Sequence, residues 1–425
     1  MSSQDNHPFS GRTFYNFDDN LEEPRHRWFH FKEGFSHRLV TEAIDQLAAE
    51  NRILTIVDPF GGSGTTALTA ALLGHNVISM EVNPFCSFAA RVKCSRGIWR
   101  TRQFRRAIVA IVQHGRASTQ TSPHESFSTF SEKPGATKWL FNRAVLRACA
   151  GSLGALKKIP LSYREPLRLG IVRAAMRCCN AKKDGKCLRY YTDWKERAYT
   201  ADDFLNAFEQ SANEMLMDAG THPIGRECSI RISCGDSRRL LTRCDDECAD
   251  LIVTSPPYLN SLDYSDVYRP ELFLGGFVST NKDVRQIRLQ TIRSHVQVKW
   301  GGPTNIKNQK VRSVVEDLLD FGDALWNPRL PNMIEAYFHD LKNVLEQVFR
   351  LLKRGAEAWL VVSTSAYKAL QIPVDLILAD IGCEAGLTLK GVYVLRNLRS
   401  SSQQWKEFGG NTPPLRESLI IFRKA

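Results

Sequence analysis

The chain has 425 residues, which at roughly 100 to 200 residues per domain is room for two or three compact units. Its 43% hydrophobic and 24% charged residues are ordinary globular values, excluding wholesale disorder and a fibrous repeat. Lysine and arginine number 57 against 45 acids, a formal charge of +12 that favours a polyanionic partner, although a basic balance also serves solubility alone.

The first twenty residues are polar and lack the apolar core of a signal peptide, and no later run reaches the roughly 18 apolar residues of a membrane helix. A cytoplasmic protein without membrane association is therefore expected. Ile53 to Val57 reads as a β-branched strand closed by Asp58-Pro59, then a glycine-rich turn, then a helix from Thr65 to Leu73 ending at Gly74. Val77 to Met80 is a second strand, stopped by Glu81. Ser229 to Ser233 is a third and Leu251 to Thr254 a fourth, broken by Pro256-Pro257. A helix from Ile334 to Leu352 leads through Gly355 to a strand at Ala358 to Ser363. Val374 to Ile381 reads as helical, and Leu387 to Leu395 and Ser418 to Arg423 complete a sheet. This alternation predicts a doubly wound α/β domain.

Charge divides the chain. Between Arg96 and Glu227 there are 23 basic and 12 acidic residues, in a stretch that reads as mostly helical and interrupts the α/β pattern. A second basic run, Lys282 to Arg312, has eight basic residues and one acid. The expected organisation is a core from 1–95, 228–275 and 334–425, a basic helical insertion at 96–227 and a second insertion at 276–333. The eleven cysteines are odd in number and scattered, which fits reduced thiols. Neither Cys178-Cys179 with Cys187 nor Cys244 with Cys248 offers paired CxxC units, so no metal is expected.

Asp58-Pro59-Phe60-Gly61-Gly62-Ser63-Gly64-Thr65 lies between strand and helix, at the sheet edge where open α/β folds bind ligands. Glycines there let backbone approach a ligand, and the helix start offers free N–H groups. The turn has no GK[ST] ending and not the GxGxxG spacing, so neither a phosphate loop nor a dinucleotide fingerprint fits. Glu81, at the next strand tip, is placed to accept both hydroxyl hydrogens of a ribose. Asp236 can accept from an adenine amine, or equally be a turn aspartate bonding its own backbone. A glycine loop and two acids at three tips point to an adenosyl ligand without a phosphate chain.

Thr254-Ser255-Pro256-Pro257-Tyr258 ends the fourth strand in a turn whose two prolines stiffen it before any ligand arrives. Ser255 Oγ and the Pro256 carbonyl can accept hydrogens from an exocyclic amine, while Tyr258 offers a face to a planar base. Together the glycine loop and Ser255-Pro256-Pro257-Tyr258 resemble the first and fourth motifs of the amino-group DNA methyltransferases that use S-adenosylmethionine. His30 to Ser36 is similar to the family's segment holding the methionine end of the cofactor, with Phe35 and Ser36 at its close.

The resemblance implies a Rossmann-like class I methyltransferase fold, a mixed seven-stranded sheet, and base flipping from duplex DNA. It places Phe60 near the cofactor, Asp58 and the glycines at its methionine part, Glu81 at its ribose and Asp236 at its adenine, with Pro59, Ser63 and Thr65 also among the cofactor-binding residues. Serine at 255, with the downstream Asp263-Tyr264 pair, is similar to the cytosine-N4 subgroup, within a restriction–modification system whose endonuclease acts separately. Adenine N6, an RNA guanine amine and a DNA-binding module without catalysis are the alternatives. Arg100 and Arg105, the cluster Lys182, Lys183, Lys186 and Arg189, and Lys299 are the candidate DNA contacts. A plain solvated helix face is the other reading of the arginines.

Overall fold

The computed structural model describes residues 17–32, 34–47, 52–97, 99–127, 129–184, 187–260, 262–298, 306–368, 370–398 and 415–425. The chain enters through α1 (His37–Asp45), capped by Ser36, and forms β1 (Thr55–Asp58), α2 (Thr65–Leu72), β2 (Asn76–Glu81) and α3 (Pro84–Lys93). Asn83 caps α3 and Pro84 occupies its first turn, where a missing N–H costs nothing. Four helices follow: α4 (Thr101–Arg116), α5 (Arg143–Ala155), α6 (Leu161–Arg177) and α7 (Ala201–Thr221). Between the last two lies a hairpin of β3 (Ala181–Asp184) and β4 (Cys187–Tyr190).

The sheet resumes with β5 (Ile230–Cys234), the short α8 (Ser237–Leu240) and β6 (Ala249–Thr254). Past the proline turn come α9 (Tyr264–Val267), α10 (Arg269–Leu274), α11 (Asn281–Arg288) and α12 (Gln309–Leu319). Then α13 (Leu330–Leu351) leads into β7 (Leu352–Ser363), a small hairpin of β8 (Ser365–Tyr367) and β9 (Leu370–Ile372), α14 (Val374–Glu384), β10 (Thr388–Leu398) and β11 (Leu415–Arg423).

Seven strands form one sheet in the order β10-β11-β7-β6-β1-β2-β5. The β7, β6, β1, β2 and β5 pairings are parallel, and β11 runs antiparallel to both neighbours, so the sheet is mixed as expected. Alternation along the strands sorts side chains to two layers. Ile56, Leu251 and Val253 pack with Leu39 of α1 and Leu68 of α2, whereas Val57 and Ile252 pack with Tyr337 and Leu341 of α13 and Ile377 of α14. Each such fully buried aliphatic stabilises the fold by roughly 1.5–3 kcal/mol. A third cluster runs from Trp28 and Phe85 through α4–α7 to Tyr268 and Val284, so the basic helices share a core with α3 and α10. No helix among the described residues is long and apolar enough to cross a membrane.

Candidate functional site

Parallel pairing of β1 with both β2 and β6 brings three carboxyl-end tips side by side. Thr254 Oγ1 donates to Asp58 Oδ1 at 2.6 Å, tying the glycine turn to the proline turn. Asp58 also accepts from the Phe60 N–H (3.0 Å), and burial pushes its carboxyl up to about 6. Above the tips lies a cleft lined by residues of all three.

One wall of the cleft is the glycine turn, from Asp58 to Ser63 with Thr65. Gly62 has φ +51° and a Cβ there would stand 2.9 Å from the Phe31 ring; Gly64 has φ +86° and a Cβ would meet Ala90 at 2.8 Å. Only glycine serves both positions without displacing a neighbour. Glu81 lines the cleft and accepts from the Gly62 N–H (2.9 Å) and the Asn83 N–H (2.7 Å). Enclosure of its carboxyl, the dominant influence, raises it to about 7 against those two bonds. Phe35 also lines the cleft, while Ser36 is buried behind it, donating to Asp19 Oδ2 at 3.0 Å.

Asp236 is not among the lining residues; Ser237 is. The Asp236 carboxylate caps α8 through the Arg238 N–H (3.0 Å) and pairs with the Arg238 guanidinium (2.8 Å), which is the local turn role. Ser255 and Pro257 face the cleft, and Pro256 is buried between them. Tyr258 is buried outside the lining, its hydroxyl donating to Glu417 Oε1 at 2.7 Å, and Glu417 in turn accepts from Arg396 Nε at 2.9 Å. Aromatic side chains that do line the cleft include Phe31, Phe60 and Tyr264, with the fully buried Tyr268 stacked against Phe31. Phe31 lies parallel to Tyr268 (5.3 Å, 6°) and to Tyr264 (6.1 Å, 5°).

The remaining wall is the segment Ile287 to His295, part of the second basic insertion at 276–333 that the sequence offers as a DNA-contacting candidate and not as cleft lining. Arginines hold it down. Arg288 pairs with Asp263 and with Asp266 (2.8 Å), Arg293 with Asp340 (2.9 Å), and Arg238 reaches the Thr291 carbonyl (3.3 Å). The Thr280-to-Asp283 capping box that starts α11 is the one local signal that an ordered element lay there.

The basic candidates divide. Arg100 and Arg105 are exposed on α4 with Arg102 and Arg106, and none of the four has an acidic partner among the described residues. Lys183 turns inward instead, pairing with the buried Glu271 and lying 3.9 Å from the Tyr268 ring centroid. Arg189 pairs with Asp184 at 2.9 Å, and Lys182 lies 5.7 Å from the Tyr191 ring. Lys186 and Lys299 fall outside the described residues. Among the described residues no group of three His, Cys, Asp or Glu could hold a metal ion, and the ten cysteines whose side chains are described are free.

Residues 6–90 match the DNA methylase family profile for N6 and N4 enzymes. Over nearly the whole chain the protein is similar to two curated relatives. It is 26% identical to type II methyltransferase M.AvaI of Nostoc sp. (strain PCC 7120), covering 98% of this chain and 90% of the relative. It is 25% identical to type II methyltransferase M.BsoBI of Geobacillus stearothermophilus, covering 97% and 88%. Among solved structures, the rRNA methyltransferase aviRa of Streptomyces viridochromogenes aligns at a TM-score of 0.28 and 12% identity, covering 93% of this chain and 87% of that one.

Proposed function

With the N6/N4 DNA methylase match as premise, we propose that the chain is an S-adenosylmethionine-dependent DNA methyltransferase of a type II restriction–modification system, acting on the exocyclic N4 of cytosine. The observation that carries this reading is that Gly61 to Ser63, Glu81 and Ser255 line one cleft, with Asp58 and Thr254 bonded across its floor. The cradle fits an adenosyl ligand: two positive-φ glycines clear the space and a carboxylate stands at its rim. Asp58, Pro59, Phe60, Gly61, Gly62, Ser63, Thr65, Phe35 and Glu81 would hold the cofactor, which supplies an electrophilic methyl group when bound.

The chain's own residues then have one task, to make a poor nucleophile competent. An amine conjugated to a base ring has a delocalised lone pair. Ser255 Oγ and the Pro256 carbonyl accept its hydrogens and turn them out of the ring plane, which localises that pair on nitrogen. Stiffness of the proline turn means little of this ordering is left to be done when the base arrives. Phe31 and Tyr264, which line the cleft and are partly exposed, offer the stacking surface, a part the sequence had assigned to Tyr258. Arg100 at the N-cap of α4 and Arg102, Arg105 and Arg106 on the helix, without acidic partners among the described residues, are the favoured contacts to duplex phosphates, since flipping costs a few kcal/mol that backbone binding must offset.

The test is to digest DNA from cells expressing the protein and weigh the modified nucleosides. N4-methylcytosine is expected. N6-methyladenine would overturn the base assignment alone, and transfer of labelled methyl to transfer RNA but not duplex DNA would overturn the substrate.

A further inference from the structure

Helix α3 packs its inner face under the glycine turn. Ala90 is the residue that a Cβ at Gly64 would meet, and one turn later Lys93 is fully buried. The Lys93 ammonium donates to the Phe29 carbonyl (3.0 Å) and to Ser63 Oγ (3.2 Å), and lies 5.4 Å from the Phe17 ring centroid. Both acceptors are neutral, and no carboxylate among the described residues pairs with it. The titratable groups around it are the Cys86 and Cys94 thiols, which burial pushes up, together with Arg173 and the imidazoles of His26 and His30, whose own protonation burial disfavours. None of these supplies a negative charge at neutral pH. A cation removed from water without a counter-charge is costly to keep, and burial accordingly lowers Lys93 to about 7.

Lys93 does not itself line the cleft, whereas Ser63 does. By donating to Ser63 Oγ, the ammonium occupies an oxygen lone pair and leaves the hydroxyl hydrogen free to point elsewhere, polarised toward donation. We propose that Lys93 is a positioning residue for an anionic ligand group: acting through Ser63, it keeps the floor of the glycine turn electropositive, so that the cleft selects a nucleoside carrying a carboxylate. This deepens the S-adenosylmethionine reading and rests on it, because the amino-acid tail of that cofactor ends in such a carboxylate.

Two ligands separate this role from a merely structural one: S-adenosylhomocysteine, which carries the carboxylate, and 5′-methylthioadenosine, which lacks the amino-acid tail. Calorimetric titration of the full-length Lys93→Met protein is expected to show about tenfold weaker binding of the first and less than about twofold change in the second. An equal loss for both ligands, or no loss for either, overturns the proposal. Methionine fills the same volume without charge; should thermal melting show that variant unfolded, Ser63→Ala carries the same comparison, with the same selective loss expected. A wild-type protein that binds neither ligand would instead remove the cofactor reading beneath it.

Discussion

Ser255 and Glu81 face the same cleft and make different demands on it. On the proposed reading Ser255 is one of two acceptors for the amine, so Ser255→Ala is expected to lower single-turnover methyl transfer by about 10²–10³-fold, the usual cost of losing one such polar group, with S-adenosylhomocysteine affinity retained. An unaltered rate would remove Ser255 from its role. Glu81 is raised to about 7 by enclosure, so between its ordinary range near 4.5 and about 7 the folded state binds more protons than the unfolded one. Stability contributed by the neutral carboxyl is present at low pH and falls as pH rises through that window. Melting curves of ligand-free Glu81→Gln should therefore gain on wild type between about pH 5 and about pH 8, and a constant difference would refute the enclosure argument. Glu81, Ser255 and the glycines were legible because each sits at a strand end marked by proline or glycine. The hydroxyl partner of Tyr258 was not, because Glu417 lies 159 residues further on and no local pattern announces it. Asp236 was legible as a turn residue; that Arg238 occupies its carboxylate is a bond over two positions that the Gly-Asp pair alone did not reveal.

Helix α4 carries its arginines on the side away from the buried Phe104, Ile108 and Ile111. That amphipathic split is a sequence signal, and what the structure adds is that Arg102, Arg105 and Arg106 have no acidic partner among the described residues, whereas Arg116 pairs with Asp202 at 2.9 Å. Replacing Arg102, Arg105 and Arg106 together by alanine is expected to weaken duplex binding and to reduce the slope of log affinity against log salt by up to about 3, near 0.9 per lost phosphate contact. An unchanged slope would return the helix to the status of a solvated face. The hairpin of β3 and β4 behaves differently although its sequence is as basic. Lys183 neutralises Glu271, which is 1% exposed, across 88 positions of sequence. Lys183→Met should cost about 3–5 kcal/mol by leaving that carboxylate buried and unpaired, measured by denaturant unfolding. A loss of DNA affinity at unchanged stability would reverse this assignment. A cluster of lysines and tyrosines has the same composition whether it faces phosphate or folds against a carboxylate, which is why the sequence left the two undivided.

Over the whole molecule, the basic helices are fastened to the core by one buried acid. Asp218 of α7 accepts from the Arg25 N–H (3.1 Å), Arg27 Nε (3.0 Å) and Trp28 Nε1 (2.8 Å), and the apolar cluster around Trp28 continues from α3 into α7. A shared core of this kind predicts a single calorimetric transition. Asp218→Asn should lower its midpoint, with a cost of about 1–3 kcal/mol for the donors left short, while a second transition separating from the first would show independent units. The alternation of strands and helices made the sheet readable, while its mixed character was implied by the family resemblance and not by the alternation. The wall at Ile287 to His295 was hidden because two arginines of that basic run, Arg288 and Arg293, are pinned by acids elsewhere in the chain.

The placement of β6 beside β1 also sets a timetable for synthesis. Thr55 waits for Asp250, 195 residues behind it, before its inner edge is covered. At about 5–20 residues per second, the ribosome leaves that edge open for on the order of 10–40 s. A nascent chain released before the proline turn emerges has its first sheet margin bare and prone to pair with strangers, so premature termination should yield aggregate rather than a soluble fragment.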